Sequence, residues 1–196
     1  MKIALINCPA WDVEFPPYPI ALVSAIVRQK GFNSDCFDFN RAFFEFTREV
    51  KDMWNFSDLY QFWQSEASVL EVFNNHAKII DNFIDALEKY NILGFHVQSL
   101  NYLFVVKFIE LIKKKYPDRI IIAGGPECMR NFNLECLLNF KCFDALCIGE
   151  SEDALPELLA KIQVQNKVVK TRGFFVREEN AYIDCDERNL IQHLDD

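Results

Sequence analysis

The chain carries no excess of positive charge: among its 196 residues, 21 Lys and Arg stand against 29 Asp and Glu, for a formal net charge of −8. That balance repels a phosphate backbone and argues against DNA or RNA as a principal partner. Long hydrophobic runs are missing too. The longest, 15–27, is interrupted by Pro16, Pro17 and Pro19 and falls short of the roughly 20 residues that span a bilayer, so no membrane contact is expected. The apolar start from Ile3 to Ile6 is too short for a signal-peptide core and runs straight into Asn7, Cys8 and Pro9, so secretion is not expected either. None of the seven cysteines forms a Cys-x-x-Cys pair, and Cys128, Cys136, Cys142 and Cys147, spaced 8, 6 and 5 apart, match no metal-binding spacing. Cys36 and Cys147 lie inside apolar runs, where a thiol acts as a small hydrophobe. A reducing cytoplasm is the expected location. Gly-x-Gly-x-x-Gly, Gly-x-x-x-x-Gly-Lys-Ser/Thr and Gly-x-Ser-x-Gly are all absent, which argues against dinucleotide sites, P-loop nucleotide sites and a serine-hydrolase elbow.

What remains is 51% hydrophobic, enough for one sizeable core. Lys2 to Asn7 reads as a strand, followed by a proline-punctuated loop and the helical pattern Ile20, Leu22, Val23, Ile26 and Val27. Gly31 ends that helix. Further strands are expected at Asn33 to Phe39, at 91–97, at Arg119 to Ala123 and at Phe143 to Ile148. The last three are followed by helices through Leu103 to Ile112, from Asn133 to Phe140 and from Glu152 to Ile162. Alternation of this kind predicts a flavodoxin-like (Rossmann-like) α/β fold with a five-stranded parallel sheet. Residues 41–90 interrupt it as a helical insertion that carries Trp54, Trp63 and many phenylalanines, which are expected to serve as core. Val168 to Val176 and Ala181 to Cys185 read as a hairpin. The chain therefore divides into an α/β domain at 1–163 and a hairpin with linker at 164–196.

Ligands on such sheets bind at the carboxyl ends of the strands, which is where the chemically interesting residues fall. Gly124, Gly125 and Pro126 follow the fourth strand, and Gly149, Glu150, Ser151 and Glu152 follow the fifth, with Ser151 a candidate helix N-cap. A tight strand-to-helix turn uses the same residues. His96, Gln98 and Ser99 end the third strand and are the one place where an imidazole, an amide and a hydroxyl converge on this edge. As a lone histidine beside apolar residues, His96 also fits an ordinary hydrogen-bonded core position. His76 and His193 lie elsewhere, so no zinc cluster is supported. No self-contained catalytic group emerges, and a binding domain is favoured over a complete enzyme.

Seven motifs occur in order: Asn7-Cys8-Pro9, Pro17-Tyr18-Pro19-Ile20-Ala21-Leu22, Gly31-Phe32, Asp38-Phe39-Asn40, Gly94-Phe95-His96-Val97-Gln98-Ser99, Gly124-Gly125-Pro126-Glu127 and Ile148-Gly149-Glu150-Ser151-Glu152. Taken together the chain resembles the amino-terminal cobalamin-binding domain of cobalamin-dependent radical S-adenosylmethionine enzymes, the group that includes the anaerobic magnesium-protoporphyrin monomethyl ester oxidative cyclase. The resemblance implies a base-off cobalamin over the carboxyl edge of the sheet. Pro9 and the loop to Tyr18 would line one side of the corrin. Val97, Gln98, Ser99 and Leu100, with His96 beside them, would line the channel for the nucleotide tail. Gly124, Gly125, Pro126 and Glu127 would meet the tail and corrin side chains, and Gly149, Glu150 and Ser151 the opposite rim. Three departures stand out. Ser151 replaces the third residue of Gly-Glu-Gly-Glu and would cost that loop positive-φ freedom. His96 stands where Ser or Thr is usual. The Asp-x-His-x-x-Gly that supplies a lower cobalt ligand is absent, so no lower His ligand comes from the loop after the first strand.

The resemblance further implies methyl transfer or tetrapyrrole ring-forming chemistry, performed with a radical barrel in cis. The S-adenosylmethionine and 4Fe-4S sites would lie in that barrel, since Cys-x-x-x-Cys-x-x-Cys is absent here. His193-Leu194-Asp195-Asp196 is expected to begin the connection. The competing expectation is a degenerate domain of this type, no longer holding cofactor, that docks a partner through its aromatic insertion.

Overall fold

The computed structural model describes residues 1–55 and 57–189; the expected connection at His193 to Asp196 lies outside them. The elements run β1 (Lys2–Asn7), α1 (Tyr18–Gln29), β2 (Asn33–Asp38), α2 (Phe39–Thr47), α3 (Lys51–Trp54), α4 (Leu59–Trp63), α5 (Glu66–Asn75), α6 (Ala77–Ala86), β3 (Ile92–His96), α7 (Tyr102–Lys115), β4 (Ile120–Gly124), α8 (Leu134–Asn139), β5 (Ala145–Cys147), α9 (Ser151–Gln165), β6 (Phe174–Glu178) and β7 (Ala181–Asp184). All strands belong to one sheet of order β2-β1-β3-β4-β5-β6-β7. The first five are parallel, and β6 and β7 continue the sheet antiparallel. The fold is thus the expected α/β class, with the hairpin adding two strands where five had been expected. Strand order reverses between β1, which continues to β2 on one side, and β3 on the other, and this reversal places the switch point at Asn7 and His96.

Side-chain alternation sorts the strands onto two cores. Ile3, Leu5, Ile92, Ile122, Ala145 and Cys147 pack with Ile20 and Val27 of α1 and with Leu155, Leu158, Leu159 and Ile162 of α9. The other face presents Ala4, Ile6, Leu93, Phe95, Ile121 and Leu146 to α2, α5, α6, α7 and α8. Residues 41–90 therefore form an elaborated crossover from β2 to β3, laid on the α7 face. Several of their rings point inward, though Phe46 and Tyr60 remain exposed: Phe83 stacks on Phe39 at 4.3 Å, and Trp63, fully buried, meets Phe104 of α7 at 6.1 Å while its indole N–H donates to the Met53 carbonyl at 2.8 Å. That arrangement satisfies the one polar atom of a large buried ring. α7 ends in Lys113, Lys114 and Lys115, the charge that complements a helix carboxyl end.

Two local expectations are corrected. Cys36 is exposed, because β2 is the sheet's outer strand and only Ser34 of its six residues is buried. Ser151 is the first residue of α9 rather than its cap; Glu150 occupies the cap position in extended conformation. Among the described residues no helix is long and apolar enough to cross a membrane.

Candidate functional site

Across the α1/α9 face the strands change in side-chain volume from one end to the other. Near the amino ends Ile3, Ile92 and Ile120 lie in register. One pleat later come Leu5, Gly94 and Ile122, and at the carboxyl ends Asn7, His96 and Gly124. The two glycines remove the side chains that would otherwise fill the space beneath α1 and α9, and a cleft of about 370 Å³ opens there. Its floor is Leu5, Gly94, Ile122, Gly124 and Cys147; Tyr18, Pro19, Ile20, Leu22 and Val23 of α1 form one wall and Ser151, Glu152 and Leu155 of α9 the other. A β-carbon on Gly94 would stand 2.8 Å from the tip of Leu5, whereas one on Gly124 would make ordinary contact with Cys147 at 3.5 Å.

The rim is built from loops tied to one another. Gly125 has φ of +119°, and a β-carbon there would fall 2.5 Å from the Val97 carbonyl oxygen. Only glycine fits so close an approach of two backbones. Val97 N–H donates to the Gly124 carbonyl at 2.7 Å, and Glu127 N–H to the Val97 carbonyl at 3.4 Å, so the loops after β3 and β4 are laced together. Asn101, fully buried, accepts from Gln98 N–H at 2.9 Å and donates through its amide to the carbonyls of His96 (3.1 Å) and Cys8 (3.4 Å). Asn40, also fully buried, binds the loop after β1: it accepts from Trp11 N–H at 2.9 Å and donates back to the Trp11 carbonyl at 3.0 Å. Gln64, the residue that caps α4, reaches over to donate to the Ser99 carbonyl.

Of the residues singled out from sequence, Tyr18, His96, Gly124, Gly125, Gly149, Glu150 and Ser151 line the cleft. Pro9, Val97, Gln98, Ser99, Leu100, Pro126 and Glu127 do not; they belong to the loops over the same edge, where Val97, Gln98 and Glu127 are buried. Among the described residues, Gln98 Nε2, Glu127 Oε2 and Asn7 Oδ1 are buried without a hydrogen-bond partner, an uncommon state for buried polar atoms. Gly149, with φ of +76°, faces open space. Because Ser151 is helical, the loop needs no positive φ there, and the expected cost of replacing the third glycine does not arise.

Leu5, Gly94, Ile122, Cys147, Leu155, Asn40 and Asn101 were not among the expected site residues. Gly94 had a readable signal, since glycine inside a strand marks a close approach. Burial lowers the His96 pKa from 6.5, leaving a neutral imidazole at neutral pH. It raises the Cys8 and Cys128 thiols well above 9.0 and pushes Cys147 up to about 12. These sulfurs stay protonated, which makes them poor metal ligands or nucleophiles. Among the described residues no three His, Cys, Asp or Glu side chains cluster to hold a metal ion.

No protein-family model matches the chain, and no curated protein matches it in sequence. Solved structures do match in fold. The radical S-adenosylmethionine methyltransferase TsrM from Kitasatospora setae, with cobalamin and a [4Fe-4S] cluster bound, superposes with a TM-score of 0.64 at 14% identity over 98% of this chain. The same enzyme with tryptophan and aza-SAM gives 0.62 at 14% identity over 94%. The cobalamin-dependent S-adenosylmethionine radical enzyme OxsB, with aqua-cobalamin bound, gives 0.56 at 17% identity over 96%. The chain spans 30% of the length of TsrM and 22% of that of OxsB. Its fold is thus that of one part of these larger cobalamin-dependent radical enzymes.

Proposed function

We propose that the chain is a cobalamin-binding unit that holds the cofactor base-off, with the corrin over the carboxyl edge and the nucleotide tail in the cleft. The observation that carries this reading is the cleft itself, opened by Gly94 and Gly124 at the switch point and continuous with the rim loops at Gly125 and Gly149. An apolar slot beneath a polar rim fits a ligand with an aromatic tail and a large ring edged with amides. The unpartnered Gln98 amide and the Asn7 and Glu127 oxygens supply a donor and acceptors on that rim.

Cobalamin, when bound, supplies an organometallic cobalt centre, while a protein of this kind supplies binding, orientation and exclusion of water. We assign Tyr18, His96, Gly124, Glu150 and Ser151 to the tail side, and Gly125 and Gly149 to the rim where the tail enters the cleft. Pro9, Val97, Gln98, Ser99, Leu100, Pro126 and Glu127 go to the rim. Residues 1–163 form the holding unit and 164–196 the hairpin and link toward a radical barrel in cis, where S-adenosylmethionine and a 4Fe-4S cluster would bind. The reaction served is methyl transfer, as in the methyltransferase TsrM, or ring formation of the oxidative-cyclase kind. Free thiols at all seven cysteines fit a reducing cytoplasm.

The test is anaerobic titration of the purified chain with hydroxocobalamin, separating bound from free by filtration and following the visible spectrum. Saturable one-to-one binding with a base-off spectrum is expected. Gly124→Leu, at a position with room for a β-carbon and no positive φ, should fill the slot and weaken binding at least about tenfold while the fold survives. Unchanged affinity in a folded Gly124→Leu variant, or no binding by the parent chain, would overturn the assignment.

A further inference from the structure

Among the described residues His96 is the one histidine that lines the cleft, and it lies half-buried at the end of β3 with its ring edge against Gly125. Its main-chain carbonyl is bonded to Asn101, but among the described residues its ring nitrogens have no hydrogen-bond partner. The surroundings offer it little: Leu5, Ile122 and Leu155 are apolar, Gly125 has no side chain, and Cys147 is a protonated thiol. The charged and titratable groups facing the same space are Tyr18 from α1 and Glu150 and Glu152 from the start of α9. A half-buried imidazole whose ring nitrogens have no partner among the described residues, standing over the apolar floor of the cleft, carries a desolvation cost that a ligand atom would relieve.

We propose that His96 is the specificity-determining residue for the tail, donating a ring N–H to a nitrogen of an aromatic heterocycle seated in the cleft. This rests on the cobalamin reading. In base-off cobalamin the benzimidazole at the end of the tail presents a ring nitrogen that no longer bonds cobalt and accepts one hydrogen bond. Neutral imidazole has one N–H to give. Selectivity follows from the unpaired donor: a tail ring without nitrogen would bury His96 with its N–H unsatisfied, which costs more than the bond itself is worth.

The experiment is equilibrium filtration of the purified chain with three corrinoids: hydroxocobalamin, aquohydroxocobinamide, which lacks the nucleotide tail, and p-cresolylcobamide, whose tail ring has no nitrogen. Each corrinoid is compared between parent and variant, because hydroxocobalamin must give up its cobalt–benzimidazole bond to bind base-off and the cresolyl form has none to give up; His96→Leu is expected to bind the cresolyl form no more weakly than the parent does. His96→Leu, checked for folding by circular dichroism, should lose about tenfold for hydroxocobalamin and leave cobinamide within about twofold. His96→Gln, which keeps an N–H donor, should stay within about threefold for both. An equal loss for the cresolyl and benzimidazole forms in His96→Leu would overturn the proposal. So would an equal loss of both cobalamin and cobinamide in His96→Leu; nitrogen splitting in the electron paramagnetic resonance spectrum of the parent's cob(II)inamide complex would then mark His96 as a cobalt ligand. Failure of the parent chain to bind any of the three would overturn the cofactor reading and this one with it, and is distinguishable from the other outcomes because it precedes them.

Discussion

Gly125 and Gly149 show how differently two glycines of one rim are constrained. At Gly125 a φ of +119° coincides with a β-carbon position 2.5 Å from backbone oxygen, so neither strain nor overlap can relax through a flexible side chain. Gly125→Ala is expected to destabilise the fold by about 3 kcal/mol or more, read from the urea midpoint. Gly149 has only the left-handed backbone to forgo and open space around it, so Gly149→Ala should cost about 1 kcal/mol. Both positions were legible in the sequence as glycines after strands, but their ranking was not, because it depends on what faces them across another loop. Gly94 was the opposite case: the residue was visible as a break in an apolar strand, yet its effect, a slot rather than a bulge, depends on Gly124 lying one pleat away on the neighbouring strand.

Among the elements, the loop from Cys8 to Pro17 has no regular structure and takes its shape from the start of α2. Asn40 binds both backbone groups of Trp11, and Arg41 donates to the Val13 carbonyl at 2.8 Å. Asn40→Ala would remove the partly buried hydrogen bonds that hold both backbone groups of Trp11. It should lower stability by about 1 to 3 kcal/mol and make the loop the first site of limited proteolysis, checked by mass spectrometry of the fragments. If the loop stays resistant, its own prolines hold it instead. The parallel strands were readable from their apolar runs and the helices between them from their periodicity. The placement of the insertion was less accessible. Five short helices with aromatics on several faces do not announce which side of the sheet they cover, and pairs such as Phe39 with Phe83 form only once the chain has crossed it. Asn101 was missed for a similar reason: an Asn before a helix reads as a cap, whereas here it joins three segments up to 93 residues apart.

For the molecule as a whole, the hairpin completes the fold. Phe174 and Val176 close the α1/α9 core and Phe175 packs in the other, while β5, only three residues long, is covered by β6. A chain ended after residue 163 is therefore expected to lose two-state unfolding or to aggregate, as seen by circular dichroism and light scattering; a cooperative, monomeric truncation would show the hairpin to be dispensable. The sequence marks the hairpin, but not its antiparallel docking, because β5 and β6 are short and their register is set by the core residues they share.

The cleft also has a mechanical consequence. Its two walls, α1 and α9, come from opposite ends of the chain, and its floor is the centre of the sheet. A molecule filling it would act as a removable bolt between the first helix and the last. The apparent melting temperature should then climb with ligand concentration, and amide exchange should slow in α1 and α9 together, two segments with no sequence proximity. Slowing in one helix alone would mean that the ligand rests against a single wall and fastens nothing.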